Sequence, residues 1–242
     1  IKADNNDAGD FFGTSVSIDN DTLVVGAPKE ESDQSTITNG TSATDDNSRG
    51  ESGAVYVYKR SGSTWAQEAY IKAANNVNYR TRGSRFGEDV SIDGDTLAVG
   101  VSQENNSLTT ITNGTSASTI TVENGSSGAV FVYKRSGTNW AQQAYIKASN
   151  ADAGDLFGSS VSIDGDILAV GAYVEKSNQN TITNGTSASS NNSNANSGAV
   201  YVYKRSGTSW AQEAYVKAVN NEDDDWFGYR VSIDNDTLAV GT

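Results

Sequence analysis

Six carboxylates stand in pairs three residues apart, Asp7 with Asp10, Asp152 with Asp155 and Glu222 with Asp225, each pair just ahead of a Phe-Gly dipeptide. Oxygens at that spacing can converge on a hard cation, and calcium is the cofactor they would suit. The competing reading is a solvated turn between repeats. In the second copy the equivalent stretch, residues 76–85, is longer and basic, so a cation site in every copy is excluded. Two carboxyls at a set separation could also serve acid-base hydrolysis. Catalytic sites are asymmetric, however, and nearly every acidic candidate here recurs, so no catalytic residue is assigned and the chain is read as no enzyme. It lacks both Cys and His, which removes disulfides, thiolate and imidazole metal sites, Cys nucleophiles and histidine triads. Three Asn-Gly-Thr triplets, at Asn39, Asn113 and Asn184, are N-glycosylation acceptors by pattern.

The formal charge of −13, with only 17 Lys plus Arg among 242 residues, argues against the phosphate-neutralising patches that nucleic-acid binding requires. Cations, polar glycans or surface proteins are the better-matched partners. No apolar stretch is long enough to span a bilayer, so membrane insertion is not expected. Asn/Thr/Ser richness, repetition and the absence of Met point to an extracellular or cell-surface location. With no initiating Met and no signal peptide, the chain reads as a mature fragment or a window on a longer array.

The elements that must hold these groups follow from self-similarity. SVSIDNDTLVVGA from Ser15 returns as DVSIDGDTLAVGV, SVSIDGDILAVGA and RVSIDNDTLAVGT, and Ser17, Ser91, Ser162 and Ser232 step by 74, 71 and 70 residues. A second block, GAVYVYKRSGSTWAQEAYIKA from Gly53, recurs from Gly128 and Gly198. The repeats run approximately over 4–73, 74–148, 149–218 and, in part, 219–242, and form one repetitive domain over 1–242. Period-two runs of Val, Ile, Thr and Tyr between Gly, Asn and Asp turns make the chain all-β, with four strands per repeat. Asp19-Asn20-Asp21 and its equivalents suit the positive φ of tight hairpins. In Ala-Val-Tyr-Val-Tyr from Ala54 both faces are apolar, so the sheet is covered on both sides. Four-stranded antiparallel sheets of this kind, three full and one partial, are expected to be β-propeller-type blades. Trp65, Trp140 and Trp210 then belong between blades as core, with sugar stacking the alternative.

These residues resemble a known family. Phe12-Gly13 followed by Gly26-Ala27-Pro28 is the signature of FG-GAP repeats, and Phe86-Gly87, Phe157-Gly158 and Phe227-Gly228 repeat its first element. The second element decays to Gly100-Val101-Ser102, Gly171-Ala172-Tyr173 and Gly241-Thr242. The bacterial secreted and surface subtype is most similar, and the integrin α-subunit propeller is a more distant relative. The resemblance implies a propeller and, by analogy, extracellular recognition, adhesion or scaffolding. Integrin-type blades often hold calcium in a loop between the first two strands. Here that loop is only a tight turn such as Asp19-Asn20-Asp21, too short to supply the roughly six to eight oxygens calcium takes.

The segments at approximately 29–52, 102–127 and 173–197 are inserted loops. Each contains Thr-Ile-Thr-Asn-Gly-Thr-Ser-Ala, and Asn-Gly between β-branched residues predicts a small hairpin there. Insertions repeated on one face commonly make a contact or glycan-bearing surface. Three repeats and two strands cannot close a ring of about four to eight blades. A longer protein, two combined chains or an open stacked array would each resolve this. The expected function is an extracellular structural or adhesive protein that associates with copies of itself into a surface assembly or filament. A closed propeller binding glycan or protein is the alternative.

Overall fold

The computed structural model describes residues 1–76, 83–116 and 125–242. The basic part of the second-copy loop and the middle of the second insertion lie outside the described residues. The first repeat contains β1 (Ser15–Asp19), β2 (Thr22–Ala27), β3 (Ile37–Asn39), β4 (Ala54–Ser61) and β5 (Thr64–Ile71). The second contains β6 (Asp89–Asp93), β7 (Thr96–Val101), β8 (Thr112–Asn113), β9 (Ala129–Ser136) and β10 (Asn139–Ile146). The third contains β11 (Ser160–Asp164), β12 (Ile167–Ala172), β13 (Thr183–Asn184), β14 (Ala199–Ser206) and β15 (Ser209–Val216), and the fourth β16 (Arg230–Asp234) and β17 (Thr237–Gly241). All described strand pairs within the sheets are antiparallel, in the order β1-β2-β4-β5-β3 in the first blade and likewise in the next two.

The four expected strands are therefore present, and the insertion adds a fifth. Its Thr-Ile-Thr-Asn segment forms no hairpin of its own. Ile37, Thr38 and Asn39 instead lie opposite Ile71, Tyr70 and Ala69 on the outer strand, because that edge offers a ready row of backbone partners. Gly40, at φ 117°, closes the segment by donating its N–H to the Glu68 carbonyl at 2.6 Å.

The alternating sequence sorts side chains to two faces. Val24, Val55, Val57, Ala69 and Ile71 of the first blade join Val90, Ile92, Leu97, Val99 and Trp140 of the second in one core cluster. A matching cluster lies between the second and third blades and includes Val132, Ile146, Val161, Leu168 and Trp210. The core therefore sits between blades, as the covered faces of Ala-Val-Tyr-Val-Tyr require. Trp140 and Trp210 are buried there, while Trp65 is only half-buried.

The Phe-Gly element locks each blade to the one before. Phe86 is fully buried and meets Phe131 and Tyr133 edge-on at 5.6 and 6.1 Å. Its backbone N–H reaches across to the carbonyl of Ser52 at 3.2 Å, and Gly53 forms a parallel bridge with it. The same bridge recurs for Gly128 with Phe157 and Gly198 with Phe227.

Candidate functional site

Three constructions repeat from blade to blade and carry most of the polar chemistry. The first is a ladder along the innermost strands. Alternation puts Ser15, Ser17 and Asp19 on the face of β1 that meets β6, where their side-chain oxygens accept the backbone N–H groups of Val90, Ile92 and Gly94 at 3.0, 3.1 and 3.0 Å. Asp89, Ser91 and Asp93 do the same for Val161, Ile163 and Gly165, and Ser160, Ser162 and Asp164 for Val231, Ile233 and Asn235. One edge of β6, β11 and β16 is thus joined to the preceding blade by side chains, while their other edge pairs by backbone with β7, β12 and β17. At the leading face, Val16 and Ile18 are 61% and 60% exposed.

The second is a clamp at the outer rim. A β-bulge in β5 leaves Glu68 without an opposite residue, because Tyr58 pairs with Gln67 and Val57 with Ala69. Glu68 then accepts from Trp140 Nε1 at 3.0 Å and from Arg135 at 3.1 Å. Gln143 takes that place against Trp210 and Arg205 in the next joint. Beside it, the carboxamide of Asn39 accepts the Trp140 backbone N–H at 2.8 Å and donates to the Trp140 carbonyl at 3.4 Å. Asn113 holds Trp210 in the same way. Two of the three candidate glycosylation asparagines therefore have their carboxamides engaged by the next blade. Asn184 occupies the equivalent position in β13, opposite Ala214. A groove of ≈ 340 Å³ lined by Asn39, Gln67, Glu68 and Asn139 opens at the first clamp, and one of ≈ 380 Å³ at the second.

The third lies inside each blade and was not singled out from the sequence. Glu30 and Lys72 form a fully buried ion pair under the first inserted loop. Glu30 also accepts from Asn5 Nδ2 at 3.0 Å, Tyr70 Oη at 2.7 Å and Ser32 N at 3.2 Å, while Lys72 donates to Ser52 Oγ at 2.7 Å. Ser32 and Ser52 stand at the two stems of the insertion, so the pair clamps the base of the loop. Lys147 with Glu104 and Lys217 with Glu175 repeat it, both at 2.8 Å. Burial pushes all three lysines below their ordinary pKa, with the paired glutamate opposing that shift. The signal was available: a glutamate follows each Gly26, Gly100 and Gly171 by four residues, and one lysine interrupts each otherwise apolar end of the second block.

The paired acidic residues ahead of each Phe-Gly element lie in turns where the carboxylate of the second accepts the backbone N–H of the first. Those distances are 3.2 Å for Asp7 to Asp10, 2.9 Å for Asp152 to Asp155 and 2.7 Å for Glu222 to Asp225. Around the third-copy pair, Lys176 donates to Asp155 at 3.2 Å and to the Ala153 carbonyl at 3.0 Å. Burial, first of its causes, raises the Asp155 pKa to about 6, against the lowering by the Asp152 amide and Lys176. Among the described residues no group of three or more acidic side chains is arranged to hold a metal ion. No helix among them could cross a membrane.

A family model described as FG-GAP repeat matches residues 1–58, 140–203 and 210–242, more than half of the chain. No curated protein matches it.

Proposed function

The chain belongs to the FG-GAP repeat family, and from that premise we propose that it is a non-enzymatic extracellular structural or adhesive module that associates with copies of itself. The observation that carries this reading is the side-chain ladder, which makes the two faces of every blade complementary. The β16 strand offers Ser232 and Asp234 at the positions where Ser17 and Asp19 act. On β1, Val16 and Ile18 stand at the positions whose N–H groups, in Val90 and Ile92, are taken by the preceding blade, and both residues are exposed. A face that ends in acceptors and another that ends in donors favour head-to-tail, heterologous association, which yields rings or filaments. The inserted segments contribute the edge strands β3, β8 and β13, which supports a role for the rest of each loop as contact surface.

Sedimentation velocity across a concentration series tests this. Growth with concentration, reduced by the pair S232A and D234A, is the expected result. A single monomeric species at every concentration overturns self-association.

A second reading, ligand recognition, is supported by a group without counterpart in the other copies. Tyr173, Trp226 and Tyr229 form an aromatic cluster with ring centroids 5.2–6.3 Å apart, and Trp226 and Tyr229 are 46% and 42% exposed. Exposed rings of this kind suit the apolar face of a sugar. Saturable quenching of Trp226 fluorescence by an oligosaccharide panel, absent in W226A, would favour it over the structural reading.

A further inference from the structure

The buried ion pair of each blade has a third member, and the arrangement goes beyond the function proposed above without depending on it. In the first blade one carboxylate holds two groups that can react with each other. Lys72 Nζ donates to Glu30 Oε2, and Asn5 Nδ2 donates to Glu30 Oε1 at 3.0 Å. The Asn5 amide is held from its other side as well, because Tyr56 Oη donates to its carbonyl oxygen at 2.6 Å and Nδ2 donates to the Thr44 carbonyl at 2.7 Å. Asn5, Glu30 and Lys72 are 7%, 1% and 1% exposed. The third blade reproduces every part: Asn150 and Lys217 share Glu175 at 3.1 and 2.8 Å, Tyr201 donates to Asn150 Oδ1 at 2.5 Å, and Asn150 Nδ2 donates to the Ser189 carbonyl at 2.6 Å. In the second blade Asn75 and Lys147 share Glu104 at 3.2 and 2.8 Å, but Phe131 stands where Tyr56 and Tyr201 stand and brings no hydroxyl.

We propose that Asn5 and Lys72 join through a spontaneous isopeptide bond catalysed by Glu30, and that Asn150 with Lys217 and, more slowly, Asn75 with Lys147 do the same. Proton transfer from Lys72 to Glu30 gives a neutral amine beside a neutral acid, a state that burial favours over two desolvated charges. The Nζ lone pair attacks Asn5 Cγ, and the charge that develops on Oδ1 is met by the Tyr56 hydroxyl. Glu30 gives its proton to Nδ2 as the Cγ–Nδ2 bond breaks, and takes one from Nζ. Ammonia leaves, the amide Nζ–Cγ remains, and Glu30 ends protonated. Atoms and charge balance without any oxidant or co-reactant. Attack requires Nζ and Cγ to approach within about 3–3.5 Å, and one carboxylate holds the amine on Oε2 and the amide on Oε1, so the two reacting groups share a single partner. The bond would tie the segment entering each blade to the end of its fourth long strand. A purely structural ion pair predicts no such chemistry. In that case the ammonium keeps its partners, which include Ser52 for Lys72 and Ser127 and the Gly128 carbonyl for Lys147.

Intact mass spectrometry of the folded full chain, followed by digestion, decides between them. The expected mass falls short of the sequence mass by one ammonia per bond, with branched peptides joining Asn5 to Lys72 and Asn150 to Lys217. The full sequence mass in a folded sample, with no branched peptide after prolonged incubation, overturns the proposal. Tyr56→Phe gives the first blade what the second has naturally, so it folds. Its bond should then form roughly 100-fold more slowly, the usual loss for one oxyanion donor, while the third blade serves as an internal clock. Glu30→Gln should abolish the first-blade bond alone. A bond that still forms at the same rate in E30Q overturns the role assigned to the carboxylate.

Discussion

A Cβ built on Gly26 would sit 2.0 Å from the carbonyl oxygen of Gly87, so the Gly of one repeat's second signature element is the floor on which the next repeat's Phe-Gly element rests. Gly100 meets Gly158 at 2.0 Å and Gly171 meets Gly228 at 2.1 Å in the same way. The two halves of the signature are one contact made across a joint between blades.

Gly100→Ala should therefore force the second and third blades apart, costing at least about 3 kcal/mol, the upper end of ordinary overpacking, because the obstacle is backbone. Gly241→Ala is the control, since its Cβ would meet nothing closer than 3.6 Å. Urea melts of the two variants should differ; equal midpoints would show that the joint does not depend on this approach.

The rim clamp should be measurable as a coupling. Glu68 and Trp140, joined at 3.0 Å, should give a double-mutant-cycle energy of about 1–2 kcal/mol with E68A and W140F, since the bond is charge-assisted and mostly sheltered. Glu213 holds the same bulge position but is exposed, with an exposed Lys204 at 3.8 Å. E213A should change stability by no more than about 0.5 kcal/mol.

Removing a rung of the inner ladder should cost stability only where a following blade uses it. Ser17→Ala deprives the Ile92 N–H of its partner and should cost about 1–3 kcal/mol, the penalty for a sheltered unpaired donor. Ser232→Ala should leave the folding of the isolated monomer unchanged within about 0.5 kcal/mol. Hydrogen exchange at Ile92 reads the first effect directly.

The pH dependence has a definite sign. A carboxyl whose folded pKa is raised binds its proton more tightly folded than unfolded, so it favours the folded state at low pH and loses that advantage as pH rises. For Asp155 the loss runs from its ordinary 3.8 to about 6, and amounts to about 2–3 kcal/mol by linkage. Asp10 and Asp89 are also raised by burial and act in the same direction. Chemical melts at pH 4.5 and 7.5 should show a smaller difference in D155N than in the parent, and an unchanged difference would remove Asp155 as the cause.

Much of the fold was legible because the repeats state it several times. The turn at Asn20, with φ 49°, and its glycine equivalents at Gly94 and Gly165 follow from residue type alone. So do the two covered faces of β4, where every residue from Ala54 to Tyr58 is buried. The acidic turns were legible for the same local reason, since Asp7 and Asp10 are three residues apart and meet through one backbone amide. The Asn-Gly segment misled because its letters suit a hairpin, whereas the free edge of β5 offered backbone partners from a distant part of the repeat. The Glu30–Lys72–Asn5 cluster was visible only as three unremarked polar positions.

By itself the sequence determined what local stereochemistry and periodicity control: an all-β chain, four strands in each full repeat, the positive-φ turns and the apolar faces that must be covered. Only the tertiary structure decided what depends on distant residues meeting. It placed Glu68 against Trp140 and Ser17 against Ile92, gave the inserted segment to a sheet edge, and buried Asn5, Glu30 and Lys72 together. Contacts of that kind are fixed by how one blade twists and stacks on another, and stacking is set by the summed packing of whole faces rather than by any short run of residues.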